Sequence, residues 1–164
     1  MKNEAKFKEK KPIIGITMGD PFGNGPEITV KALADPSLYK RCRPVVVGDR
    51  SCMEYAAAAA EAVSGIKVEI HPVSEIKEAE FRPGIIDVYD MGLIRRSDIP
   101  GDPACPQPFK LGATRLGGEA SFRYVEKVIE LAMDHRIDAT VTNAFSKGVR
   151  GLYTYQELLY DAGS

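Results

Sequence analysis

Tryptophan is absent from this chain of 164 residues, histidine occurs twice and cysteine three times. Each shortage excludes something. Cys42, Cys52 and Cys105 are odd in number and show no Cys-x-x-Cys spacing. That argues against a disulfide framework and against a zinc site, and it makes a reducing cytoplasm the expected compartment. A thiol nucleophile needs a histidine partner, and His71 and His135 both stand in contexts without a motif. No run reaches the ~18 apolar residues of a membrane span. Charge of one sign is also missing: 22 Lys and Arg oppose 23 Asp and Glu, a net −1. No global field therefore recruits nucleic acid or an anionic membrane. Residues 1–11 are basic but interrupted by Glu4 and Glu9 and have no apolar core, so they are expected to form a flexible tail rather than a signal or anchor.

What is present is an alternation of periods. Ile13–Met18 is a short apolar strand, and Pro26–Ala34 has helical spacing. Pro44–Val47 is a second strand. A helix is expected over Ser51–Ser64, where the Ala56–Ala60 run has high intrinsic propensity and Gly65 supplies the stop. Ile66–Ile70 alternates apolar and charged residues, as a half-exposed or edge strand does, and Ile85–Tyr89 is a further strand. Ser97–Lys110 holds Pro100, Pro103, Pro106 and Pro108 and reads as an irregular connection. A long helix is expected from Gly118 to about Arg136, with Phe122, Val125, Val128, Ile129, Leu131 and Ala132 as its core stripe. Asp138–Thr142 returns as a strand. Strands alternating with helices imply an α/β fold with a parallel or mixed sheet flanked by helices. In such sheets ligands bind beyond the carboxyl ends of the strands.

Two segments follow strand ends. Gly19–Glu27 packs three glycines and two prolines between a strand and a helix. Such a turn brings backbone N–H groups and a helix N-terminus onto an anion with no Cβ in the way. A ligand-free βα connection is the competing reading. Asp20 either lines a crevice or closes an Asx turn on its own backbone. Glu27 either starts the helix or braces the turn. The Walker loop and the dinucleotide fingerprint are both excluded, because Gly-Pro-Glu follows the glycines and a third spaced glycine is missing. Asn143–Lys147 is the second segment. Lys147 is either an exposed lysine or a point charge facing a phosphate or carboxylate.

Met18-Gly-Asp-Pro-Phe-Gly-Asn-Gly-Pro-Glu27 fills every fixed position of the Met-Gly-Asp-Pro-x-Gly-x-Gly-Pro-Glu signature, and the chain resembles the 4-hydroxythreonine-4-phosphate dehydrogenase family. That family includes relatives acting on D-threonate and D-erythronate 4-phosphate. Val45-Val-Val-Gly-Asp49, Gly117-Gly-Glu-Ala-Ser121 through Ala132, and Ile137–Thr142 resemble further family segments, so the likeness covers Pro12 to Lys147. At the second site the family reads approximately Thr-x-Pro-x-Asn-Lys, and here Ala144 and Ser146 replace the proline and the asparagine.

The resemblance implies a sheet like that of isocitrate and isopropylmalate dehydrogenases, and an oxidative decarboxylation of a 4-phosphorylated hydroxy acid. It implies NAD, a divalent metal held by separated histidines, a homodimer and a place in pyridoxine biosynthesis. Asp20, Gly23, Asn24, Gly25, Thr142 and Lys147 become the candidate substrate- or anion-binding residues, with no residue assigned to catalysis or to a metal. The family's Gly-His-Thr-Glu motif, its metal histidines and its NAD-binding region have no counterpart after Lys147. Residues 12–147 are thus expected to form the family-like region, with 148–164 a divergent tail and the chain truncated and catalytically incomplete. Codons for Lys147-Gly148 and for Gly163-Ser164 can encode Lys-Glu and Gly-His in one shifted frame. A single-base insertion, a shortened chain and a short paralogue all accommodate this. A non-catalytic anion-binding module or a partner-dependent fragment is the alternative.

Overall fold

The structure, a computed structural model, describes residues 10–102 and 114–143. Its regular elements are β1 (Ile13–Thr17), α1 (Gly25–Leu33), β2 (Arg43–Gly48), α2 (Arg50–Ser64), β3 (Glu69–Val73), β4 (Ile85–Asp90), α3 (Arg115–Met133) and β5 (Ala139–Val141). The strands form one sheet in the order β3-β4-β2-β1-β5, and every pairing is parallel. The mixed-sheet option thus gives way to the parallel one among the described residues.

Parallel sheets are covered on both faces, so their central strands read as unbroken apolar runs. Val45, Val46 and Val47 of β2 are fully buried, and Met18, Met53, Tyr124 and Val128 close around them. The chain moves from β1 to β2 and on to β3 in one direction across the sheet. It then moves from β4 to β5 in the other. Right-handed crossovers therefore put α1 and α2, which pack on each other, on one face and α3 on the opposite face. The connections leaving β2 and β4 go to opposite faces, so the topological switch point of the described strands lies between those two, and β1 and β5 stand side by side at the same carboxyl-end rim of the sheet.

Gly65 closes α2 in the left-handed region at φ 66°, as expected from its place after the alanine run. The largest departures from the sequence reading are at β3 and α3. β3 begins at Glu69 rather than Ile66, because residues 65–68 are spent leaving the helix and pairing with β4 starts at Glu69 opposite Ile85. It is an edge strand, which is why it tolerates Pro72. α3 begins at Arg115 rather than Gly118, since the Thr114 hydroxyl accepts a hydrogen bond from the Gly117 N–H at 3.0 Å and caps the helix. Its buried stripe is Gly117, Ala120, Ser121, Tyr124, Val128 and Leu131, while Ile129 is 53% exposed. The predicted stripe is rotated because Tyr124 reaches across to the end of β2. Of the proline-rich connection, Arg96–Asp98 forms a single helical turn, and residues 103–113 lie outside the described residues. No helix among the described residues is long and apolar enough to cross a membrane.

Candidate anion-binding site

The turn after β1 is built from its own backbone. The Met18 N–H continues the sheet by donating to the Val47 carbonyl at 2.9 Å. Gly19 then turns through φ 80°. The Phe22 N–H donates to Asp20 Oδ1 at 3.0 Å, and the Gly23 N–H donates to the Asp20 carbonyl at 3.0 Å. Asp20 is thus an Asx-turn residue, buried to 7% exposure. A side chain on Gly25 would collide with the Met18 carbonyl, so only glycine lets α1 start pressed against the end of β1.

Asn24 occupies the N-cap of α1 but makes no capping hydrogen bond with its side chain, and it is exposed. Pro26 follows inside the first turn. Because it has no N–H, the amides of Gly25 and Glu27 are the first-turn donors outside the helical ladder. Glu27 pairs with Lys31 at 2.5 Å on the exposed face of the helix, which leaves the turn free of that carboxylate.

Two further elements close on the turn. A Cβ on Gly117 would lie 2.7 Å from Asp20 Oδ1 and 3.0 Å from the Phe22 ring, so the first turn of α3 abuts the same loop. The Asp20 carboxylate therefore stands where the α3 dipole favours negative charge. From the other side comes the exit of β5. The Asn143 backbone N–H donates to Thr17 Oγ1 at 3.0 Å. Its side-chain amide donates to Thr29 Oγ1 at 2.8 Å and to the Gly25 carbonyl at 3.2 Å. Thr29 in turn donates to the Gly25 carbonyl at 2.8 Å.

The candidate residues of the first motif, Asp20, Gly23, Asn24 and Gly25, are thus one turn. Thr142, exposed, precedes the residue that joins β5 to it. Lys147 lies outside the described residues. Asn143, Thr17, Thr29 and Gly117 complete the arrangement without having been singled out from sequence. Their signal was slight: two threonines flanking the glycine motif, and an asparagine inside a segment whose lysine drew the attention. On the α1–α2 side the turn also borders a cleft of about 370 Å³ whose walls include Pro21, Tyr55, Ala56 and Val63.

The turn after β2 is different. Asp49 is fully buried, and its Oδ1 accepts from the Leu93 and Ile94 N–H groups at 2.5 and 3.1 Å. The Tyr124 hydroxyl donates to Oδ2. Burial pushes the Asp49 carboxyl above its ordinary value, against the lowering effect of these hydrogen bonds. Burial, helped by Asp49, also raises Tyr124, and it takes the neighbouring Cys52 thiol to about 12. A thiol so placed is a packing group, not a nucleophile.

A divalent metal does not fit these residues. Among the described residues no group of three or more His, Cys, Asp or Glu side chains could hold an ion. His71, which carries no motif, has its Nδ1 2.8 Å from the buried Asp87 carboxylate on the adjacent strand. His135 is exposed just beyond α3 at φ 55°.

No family model matches the chain. Individual proteins do. The D-threonate 4-phosphate dehydrogenase of Cupriavidus necator is 39% identical over 137 residues, 83% of this chain and 37% of that one. A 4-hydroxythreonine-4-phosphate dehydrogenase from Burkholderia phymatum superposes with a TM-score of 0.75 at 34% identity, over 93% of this chain and 43% of that one. The enzyme of the same name from Klebsiella pneumoniae gives a TM-score of 0.65 at 29% identity, again over 93% of this chain and 40% of the other. The chain spans 37–38% of the length of such curated relatives. It is a homologue of the D-threonate 4-phosphate and 4-hydroxythreonine-4-phosphate dehydrogenases over most of its own length.

Proposed function

We propose that this chain carries the anion-binding end of a dehydrogenase for 4-phosphorylated hydroxy acids such as D-threonate 4-phosphate or 4-hydroxythreonine 4-phosphate. One observation supports this above the others. The Gly23–Gly25 turn and the start of α1 meet the β5 exit at the carboxyl ends of β1 and β5, the end of a parallel α/β sheet at which ligands bind. Amides at a helix start suit a phosphate or carboxylate, and the neutral amide of Asn24 can donate to it. Asp20 holds the turn through Phe22 rather than meeting the anion, because two negative charges in one crevice repel. Lys147 is the proposed counter-charge. The isocitrate dehydrogenase-like sheet, a cytoplasmic location and a homodimer belong to the same proposal.

NAD is the oxidant in this reading, accepting hydride from the secondary alcohol. Since the described residues do not fit a metal, no step is assigned to one. The chain assayed alone is expected to bind the substrate's anionic end weakly and to give no measurable NAD reduction. Groups that act as a unit lose most of the rate when they are separated. The test is the purified 164-residue chain with NAD, a divalent metal and D-threonate 4-phosphate, followed by absorbance and by calorimetry. Binding without turnover is the expected result. Turnover abolished by Asp20→Ala would show the chain catalytically complete, and no binding of the phosphorylated acid at millimolar concentration would overturn the proposal.

A further inference from the structure

The geometry points to Asn143 as a positioning residue that locks the Gly23–Gly25 turn into its anion-binding shape. This rests on the anion-binding reading of that turn. Residue 143 stands far from the turn in sequence, 118 positions from Gly25 and 126 from Thr17. It nevertheless bonds to the end of β1 and to the first turn of α1 at once.

The contacts are to groups that have little freedom of their own. Thr17 is 1% exposed and Thr29 is 3% exposed. Gly25 is wedged against the Met18 carbonyl. The Asn143 amide has both N–H bonds directed at this corner, one to Thr29 Oγ1 and one to the Gly25 carbonyl. The Thr29 hydroxyl accepts from Asn143 and donates to the same carbonyl, so three polar groups form a closed ring around the start of α1.

That ring fixes what the ligand would meet. Asn24 makes no side-chain cap, and the Asn24–Gly25 peptide is held through its carbonyl, which accepts from the Ile28 N–H at 3.0 Å. The Gly25 carbonyl belongs to the Gly25–Pro26 peptide, which has no N–H of its own; held toward Asn143, it fixes the chain between the Gly25 and Glu27 amides, so both keep one orientation. A preorganised donor set binds an anion without the cost of ordering it afterwards. The same bonds hold the described start of the second motif, at Asn143, against the first.

Only a side chain that donates two hydrogen bonds from one short amide does this. Asn143→Asp would turn a carboxylate toward the Gly25 carbonyl, and Asn143→Ala would offer it nothing. Thr29→Val removes the shared hydroxyl, whereas Thr29→Ser retains it. The roles are therefore separable from mere bulk.

The test titrates inorganic phosphate into the ¹⁵N-labelled full chain and follows the Gly23 and Gly25 amides by NMR, with melting temperature measured in parallel. Wild type is expected to bind weakly. Asn143→Ala, Asn143→Asp and Thr29→Val should each weaken phosphate about tenfold, the equivalent of one lost hydrogen bond, and Thr29→Ser should restore it. Equal affinity in wild type and in folded Asn143→Ala or Thr29→Val would overturn the inference. If wild type binds no phosphate, the anion-binding reading of the turn fails. The positioning role is then decided by amide hydrogen exchange over residues 23–28: faster exchange in Asn143→Ala and Thr29→Val, but not in Thr29→Ser, would sustain the lock. Unchanged exchange would dismiss it.

Discussion

The turns after β1 and β2 begin alike and end differently. Each leaves a buried parallel strand, carries an aspartate and enters a helix on the same face of the sheet. After β2 every acceptor is consumed: Asp49 joins Leu93, Ile94 and Tyr124 and is sealed from water. After β1 the aspartate closes only its own loop, the N-cap side chain makes no capping bond, and the glycine backbone lies at the carboxyl-end rim of the sheet. The first arrangement is a scaffold and the second is a socket. Buried polar groups that are fully satisfied rigidify a fold, whereas a ligand site needs donors held in place but left over.

The largest effect should come from opening the closed turn. Asp49→Ala strands two backbone N–H groups and the Tyr124 hydroxyl in the core, and it should cost about 3 kcal/mol in urea unfolding. Asp49→Asn keeps an acceptor for the two amides and should cost under ~1 kcal/mol at neutral pH. If both variants cost the same, Asp49 acts through its charge and the contrast with Asp20 dissolves.

Asp49 also sets a pH dependence with a definite sign. Burial raises its carboxyl above the ordinary 3.8, so the folded chain keeps the proton where the unfolded chain has released it. Its contribution is full below that ordinary value and is lost as pH rises through the folded value. Measured as the difference between wild type and Asp49→Asn, stability should shift in favour of the asparagine variant from about pH 4 upward. The exposed carboxylates Asp35, Glu78 and Glu80 are lowered by their hydrogen bonds and work in the opposite sense, so the subtraction is essential. A difference that stays flat with pH would remove burial as the dominant influence on Asp49.

On the open side, Gly25→Ala drives a methyl group into the Met18 carbonyl, and the helix start must shift. About 2 kcal/mol is expected, in the range of other overpacked positions. Thr114→Ala removes the cap of α3 and should cost about 1 kcal/mol in the same denaturation experiment. A Gly25→Ala cost no larger than the cap's would mean that the socket is soft, and that its shape is not set by the approach of α1 to β1.

How much of this was legible follows from the range of each interaction. β1, β2, β4 and α2 are readable because apolar runs, an alanine run and Gly65 are local signals. The Met18–Glu27 turn is readable for the same reason, since its glycines and prolines act on their own backbone. β3 was displaced because alternation over Ile66–Ile70 does not reveal where pairing with β4 begins. Tyr124 was missed as the centre of α3 because its partner, Asp49, is 75 positions away. Asn143 was overlooked for that reason too. Bonds that span the chain leave no periodicity, so the lock on the site is invisible until the strands are assembled.

The smallest effect on stability should fall on Asn24, and it separates socket from scaffold most cleanly. An N-cap asparagine that caps normally costs ~1 kcal/mol when replaced by alanine. Here the side chain makes no capping bond and stands exposed, so Asn24→Ala should change unfolding free energy by less than ~0.5 kcal/mol. If the amide instead faces a bound anion, its removal should weaken phosphate by a factor of about five, seen in the Gly23 and Gly25 amide shifts. Unchanged stability with weakened binding is what a ligand-facing residue gives. A loss of ~1 kcal/mol with unaltered phosphate affinity would make Asn24 an ordinary cap in solution, and the β1 turn would then be as closed as the β2 turn.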